Sequence, residues 1–98
     1  MVDLRCNSKT YGMYATFSLS SVNAKMIYVP KGLAHGFCTL SDNATLVYKT
    51  STVYNAQFDS GILWSSAGIP WPCDQPIVSK RDTVQIPMSE FKSPFLFK

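Results

Sequence analysis

The chain has 98 residues, of which 46% are hydrophobic and only 15% charged. That excludes a disordered polypeptide and bounds the chain to one small domain, near the lower size limit for a self-sufficient core. Nine Lys and Arg against six Asp and Glu give a net charge of +3, with Lys80-Arg81 the only adjacent basic pair, too weak and scattered for a nucleic-acid surface. Cys6, Cys38 and Cys73 are an odd set without CxxC spacing, which fits neither a secreted disulfide framework nor structural zinc. No apolar run approaches the roughly 20 residues of a membrane span. No basic segment leads into an apolar one after Met1, so a cytoplasmic protein with reduced thiols is expected.

In chain order, Val2-Asp3-Leu4-Arg5 alternates apolar and polar like a half-buried strand, and Asn7-Ser8-Lys9 is a turn cluster. Tyr11 to Leu19 is read as a strand with Met13, Ala15, Phe17 and Leu19 on one face. Ser20-Ser21-Val22-Asn23 is a loop or a single helical turn. Lys25 to Val29 is a further strand, stopped by Pro30-Lys31-Gly32, a turn in which proline presets its own backbone angle. Leu33 to Leu40 and Ala44 to Thr50, joined by Ser41-Asp42-Asn43, make a predicted hairpin.

Asn55 to Ser60 is a polar loop and Gly61 to Trp64 a short strand. Ser65 to Gln75 is irregular, with Gly68, Pro70 and Pro72, and is anchored by Trp64 and Trp71. Ser79-Lys80-Arg81-Asp82 has the pattern of a capped helical turn. The tail from Met88 to Lys98 carries Phe91, Phe95 and Phe97 and is expected to pack on the body or on a neighbour. Proline, glycine or β-branched residues interrupt every window that could hold a helix longer than two turns. Short strands between turns predict an all-β fold, a sandwich or jelly-roll barrel of antiparallel strands. The low charge further predicts apolar surface covered by a partner, hence an oligomer.

The chemistry-bearing residues concentrate in Pro30-Lys31-Gly32-Leu33-Ala34-His35-Gly36-Phe37 and in Tyr48 to Tyr54. His35 is the sole histidine, so chemistry needing two imidazoles is excluded within these residues. A lone histidine in an apolar run also reads as a core residue, Tyr54 as a half-buried aromatic, and Asp82 as a helix-start carboxylate. Trp64 and Trp71 read as packing anchors or as ligand platforms.

Six segments in order, VDLR, SKTYG, VPKGLAHGF, LVYKTSTVYNAQFDSGILW, IPWP and PIVSKRD, resemble dTDP-4-dehydrorhamnose 3,5-epimerases, cupin-fold enzymes of the dTDP-L-rhamnose pathway. The resemblance runs from about Val2 to Met88 and covers only the later half of such an enzyme. It implies a catalytic role for Tyr54, as proton donor to one face of the sugar, and for Asp82, as the aspartate that orients the base histidine. It implies that His35, Lys49 and Asp3 are substrate-binding positions. The family's base histidine, in an Arg-Gly-Leu-His type motif, and a lysine slightly further on have no counterpart here, and most of its phosphate-binding arginines lie in the same unmatched region. The family pattern is also broken at Ala56 and Gln57, where proline and an acidic residue are usual, and at Gly68-Ile69-Pro70-Trp71-Pro72, where aspartate usually replaces Pro70.

Epimerisation beside a ketone needs a base to remove the proton alpha to the carbonyl, stabilisation of the enolate, and an acid on the opposite face. A carboxylate-held histidine suits the first task, and tyrosine, protonated at neutral pH, the last. With Tyr54 and Asp82 present and the base absent, the chain is expected to be inactive alone. The resemblance thus implies one truncated cupin domain over residues 1–98, with 89–98 as a tail. Its partial barrel would be completed by dimerisation, giving a homodimer. The ligand implied is a dTDP-4-keto-6-deoxy sugar, with no cofactor and no metal, since metal-binding cupins use a His-x-His pair and this chain's only glutamate is Glu90. Two other readings stay open: a noncatalytic cupin binding a sugar, nucleotide sugar or other small molecule, and a ligand-free structural half-barrel.

Overall fold

The computed structural model describes all 98 residues. The first strand, β1 (Val2–Asp3), pairs antiparallel with β2 (Leu33–Ala34), Val2 opposite Ala34 and Asp3 opposite Leu33. The pairing is set by the turn before β2. The Leu33 amide donates to the Pro30 carbonyl at 3.3 Å, and Gly32 sits at φ +93°, the third turn position that a type II turn reserves for glycine. Pro30 therefore takes the first position of this turn, not the second, where it would preset the turn angle. Gly32 is buried, and its carbonyl accepts from the Leu4 amide at 3.0 Å.

The segment after β1 folds back along its other side. The Asp3 amide donates to the Met13 carbonyl at 3.0 Å, the Gly12 amide to the Asp3 carbonyl at 2.8 Å, and the Met1 ammonium to the Ala15 carbonyl at 2.8 Å. Asn7 and Gly12, at φ 66° and 77°, supply the left-handed residues for this reversal. The tail seals the end of the strand. The Cys6 amide donates to Phe95 at 2.8 Å, and the Phe97 amide donates back to Cys6 at 2.9 Å, a parallel bridge centred on Leu96. Val2 and Leu4, each 3% exposed, are the buried apolar core of this arrangement.

Elsewhere the chain forms a 3-10 turn at Ala56–Phe58, a helical turn α1 (Lys80–Thr83) and a 3-10 turn at Met88–Glu90. Ser79 caps α1 by accepting from the Asp82 amide at 3.2 Å, as its position in the sequence predicts. A parallel bridge ties Ile62 to Ile86. The molecule is thus mostly non-helical with a small antiparallel sheet, in keeping with an all-β class. No helix is long and apolar enough to cross a membrane.

Several expected strands are not formed. Tyr11–Leu19 contributes one bridge, Val2 to Tyr14, and Lys25–Val29 contributes none. The hairpin of Leu33–Leu40 with Ala44–Thr50 is reduced to Leu33–Ala34, and residues 35–54 make no backbone–backbone hydrogen bond. The physical reason is that alternation fixes which face of a strand is apolar but supplies no neighbour to pair with. The molecule has 22 backbone–backbone hydrogen bonds, where a self-contained domain of this length makes about 65.

Candidate functional site

Asp3 is the most highly engaged polar group in the molecule. One carboxylate oxygen accepts from the Arg5 amide and Arg5 Nε, both at 2.9 Å. The other accepts from Arg5 Nη2 at 2.9 Å, Ser8 Oγ at 2.7 Å and Thr10 Oγ1 at 2.6 Å. The side chain is 6% exposed. The Arg5 guanidinium, more than any other group, holds this carboxyl far below the ordinary carboxylate range, with burial opposing and the two hydroxyls assisting. Arg5 in turn lies over the Phe97 ring, 5.0 Å from its centroid, so the ion pair is packed under the tail. An ordinary Cβ on Gly32 would come within 2.5 Å of Arg5 Cγ, so the glycine is also what admits the arginine.

A second group joins the loop after Tyr54 to α1. Asn55 caps the Ala56–Phe58 turn by accepting from the Gln57 amide at 3.0 Å. Asp59, just beyond that turn, accepts from Arg81 Nη2 at 2.6 Å, and the same guanidinium lies 3.6 Å from Asp82. Arg81 therefore links the two segments carrying the predicted catalytic residues, Tyr54 and Asp82. The Tyr54 side chain itself is open to solvent, 75% exposed, and is not the half-buried aromatic of its ordinary reading.

His35 follows β2 directly and is exposed, so it is not a core histidine. Beside it, Gly36 faces the edge of the Trp71 ring, where a Cβ would stand 3.8 Å from the indole. Trp71 donates its Nε1–H to the Trp64 carbonyl at 2.8 Å, and the two indoles meet edge to face at 6.2 Å. Lys49 lies within the exposed, unpaired stretch. A cleft of about 690 Å³ opens between Lys31, Thr52, Gln57, Phe58, Ser60, Pro94 and Phe95. None of His35, Lys49, Tyr54, Asp82 or Asp3 lines it.

The structure thus brings Asp3 into the sheet beside the strand leading to His35, and ties the Tyr54 loop to the Asp82 turn. It does not gather all five residues around one cavity. Sequence reasoning missed Arg5, Ser8 and Thr10 as the partners of Asp3, and the Asp59–Arg81 bridge. The Asp3-x-Arg5 spacing ahead of a Ser/Thr-rich turn was the available signal for the first, while nothing in the sequence pairs Asp59 with Arg81 across 22 positions.

Residues 1–90 match the sequence model of a family described as dTDP-4-dehydrorhamnose 3,5-epimerase. The chain belongs to the dTDP-4-dehydrorhamnose 3,5-epimerase family. Among curated members, it is 45% identical over 83 residues to a dTDP-4-dehydrorhamnose 3,5-epimerase of Shigella flexneri, covering 83% of this chain and 46% of that protein. It is 42% identical over 94 residues to one of Methanothermobacter thermautotrophicus, covering 91% and 51%. A dTDP-4-dehydrorhamnose 3-epimerase of Streptomyces niveus is 37% identical over 92 residues, covering 92% and 44%. This epimerase-family chain therefore spans about half the length of these relatives. No solved structure matches it.

Proposed function

We propose that this chain carries the acid side of a dTDP-4-keto-sugar epimerase active site in a partial cupin barrel, and that it is catalytically silent alone. The observation that carries the reading is the pairing of family membership over residues 1–90 with a single histidine, His35, left exposed beside β2. In this reading Tyr54 is the acid that delivers a proton to the face opposite the base, and Asp82 orients the base histidine, which comes from outside these residues. His35, Lys49 and Asp3 line the substrate pocket, with Asp3 acting through the Arg5, Ser8 and Thr10 network that fixes it. Residues 1–98 form one domain with 89–98 as its tail. Loss of general-base catalysis alone costs about 10² to 10⁴ in rate.

The second reading is a noncatalytic cupin holding a sugar, nucleotide sugar or other small molecule, or a ligand-free half-barrel; in every reading the open faces call for a homodimer. The exposure of Leu46, Tyr48, Val53 and Tyr54 favours it, because such apolar surface must be covered. The test is solvent exchange. The purified chain, incubated in D₂O with dTDP-4-keto-6-deoxyglucose, incorporates no deuterium at the carbons flanking the ketone. Incorporation that Tyr54→Phe abolishes would overturn the silent reading. Calorimetric titration of dTDP sugars onto the chain then separates a binding pocket, which gives saturable heat, from an empty scaffold.

A further inference from the structure

Two hydrogen-bonded units meet in this molecule. One is built on β1 and β2 and leads directly to His35. In the other, the Leu63 amide donates to the Ile86 carbonyl at 2.8 Å and the Met88 amide to Ser66 Oγ at 2.8 Å, with α1 and its Asp82 just ahead of Ile86. The Trp71 indole is fastened to the second unit and touches the first. Its Nε1–H donates to the carbonyl of Trp64, the residue after Leu63, and its ring meets the Trp64 indole edge to face. The backbone under the ring is held as well. The Trp71 amide donates to the Ile69 carbonyl at 2.9 Å, and Pro70 and Pro72 on either side each have a locked φ. The far edge of the ring, Cη2, stands 3.8 Å from where a Cβ on Gly36 would be. The indole thus lies beside the Gly36 backbone with room for a methyl group between them. Residues 35–54 make no backbone–backbone hydrogen bond, so at Gly36 the indole takes the place of a ladder partner.

We propose that Trp71 is a positioning residue for His35, holding the backbone at Gly36 so that the imidazole stands at a fixed place relative to the unit that carries Asp82. The inference rests on the reading of His35 as a pocket residue and names what places it. A tethered ring suits the task. A binding side chain must be held within about 0.5 Å of its working position, a precision that packing and supporting hydrogen bonds supply. The Nε1–H bond fixes the rotation of the ring, and the two prolines fix its root. Trp64 gives this lock a backbone carbonyl, which a substitution of its side chain leaves in place.

The test is backbone nitrogen relaxation in the purified chain, with the sole histidine, His35, as the reporter. Order parameters at His35 and Gly36 should be about 0.85, the value of rigid backbone, and fall below about 0.6 in Trp71→Ala. Trp64→Phe, which keeps the carbonyl and an aromatic ring, should leave both high. A general loosening would reach Leu4 too, so the Leu4 order parameter is the control for an intact fold. Gly36→Ala reads the contact without disturbing the indole, since its methyl should show a nuclear Overhauser effect to the Trp71 ring. Low order at His35 in the unaltered chain, equal losses in Trp64→Phe and Trp71→Ala, or a methyl silent toward the indole would each overturn the proposal. Should Trp71→Ala fail to fold, the unaltered chain and Gly36→Ala decide on their own. Calorimetry with a dTDP sugar is read separately. No saturable heat from the unaltered chain would sink the reading of His35 as a pocket residue and leave the positioning intact.

Discussion

Replacing Gly32 by alanine probes the tightest point of the molecule. The residue holds φ +93°, where an L side chain costs about 1–2 kcal/mol. Its new Cβ would stand 2.5 Å from Arg5 Cγ and 3.3 Å from Phe95 Cβ. Arg5 Cγ is not a free chain end, because Nε and Nη2 are fastened to Asp3 and the guanidinium is stacked on Phe97. Relief therefore requires moving the backbone or the tail, an overpacking cost of about 1–3 kcal/mol. The sum, about 3 kcal/mol, corresponds to a roughly 150-fold change in the opening equilibrium. Amide exchange reads it at Leu4, whose N–H is bonded to the Gly32 carbonyl. In an Arg5→Ala background the clash with Arg5 is gone and only the 3.3 Å approach to Phe95 Cβ remains, so the same substitution should cost little more than the backbone part, a coupling that a double-mutant cycle isolates. Exchange at Leu4 unchanged within twofold in Gly32→Ala, or equal penalties in the two backgrounds, would refute the reasoning.

Leu4→Ala, at a position 3% exposed, should cost about 2–3 kcal/mol in urea unfolding, a large fraction of what so small a core supplies. Asp3 binds its proton far more weakly in the folded molecule than in the unfolded chain, chiefly because of Arg5. Its contribution to stability is therefore complete above about pH 4 and declines steadily as pH falls below that value. Asp3→Asn should lower stability at pH 7 and flatten that acid limb, as followed by circular dichroism from pH 7 to 2. Arg81→Ala removes an exposed bridge to Asp59 and should cost under about 1 kcal/mol globally, while raising exchange at the Phe58 and Asp59 amides of the tethered loop.

What the sequence disclosed follows from what local chemistry can encode. Ser79 ahead of Asp82 announces a capped turn because the cap closes within three residues. Gly32 after Pro30-Lys31 announces the reversal because a positive φ needs it. Alternation from Val2 to Arg5 marks a strand, but one expected to be half-buried. Asp3 on the supposed solvent face is buried as well, because Arg5, Ser8 and Thr10 satisfy its carboxylate. Tyr11–Leu19 and Ala44–Thr50 show the same alternation but lack partners, and no local rule states which chain a strand must pair with. The site divides the same way. The resemblance singles out Tyr54, His35, Lys49, Asp82 and Asp3, whereas the clamp on Asp3 by Arg5, Ser8 and Thr10 depends on a loop geometry that only the folded backbone supplies.

The bond between Cys6 and the Phe95–Phe97 stretch joins positions about ninety residues apart, as does that from Ser93 Oγ to the Leu4 carbonyl. β1 must therefore wait for residues about ninety positions further along before its edge is closed. Closing that edge should be slow, since so long a loop must form first, and a change in residues 93–97 should unseat β1 as surely as a change within it.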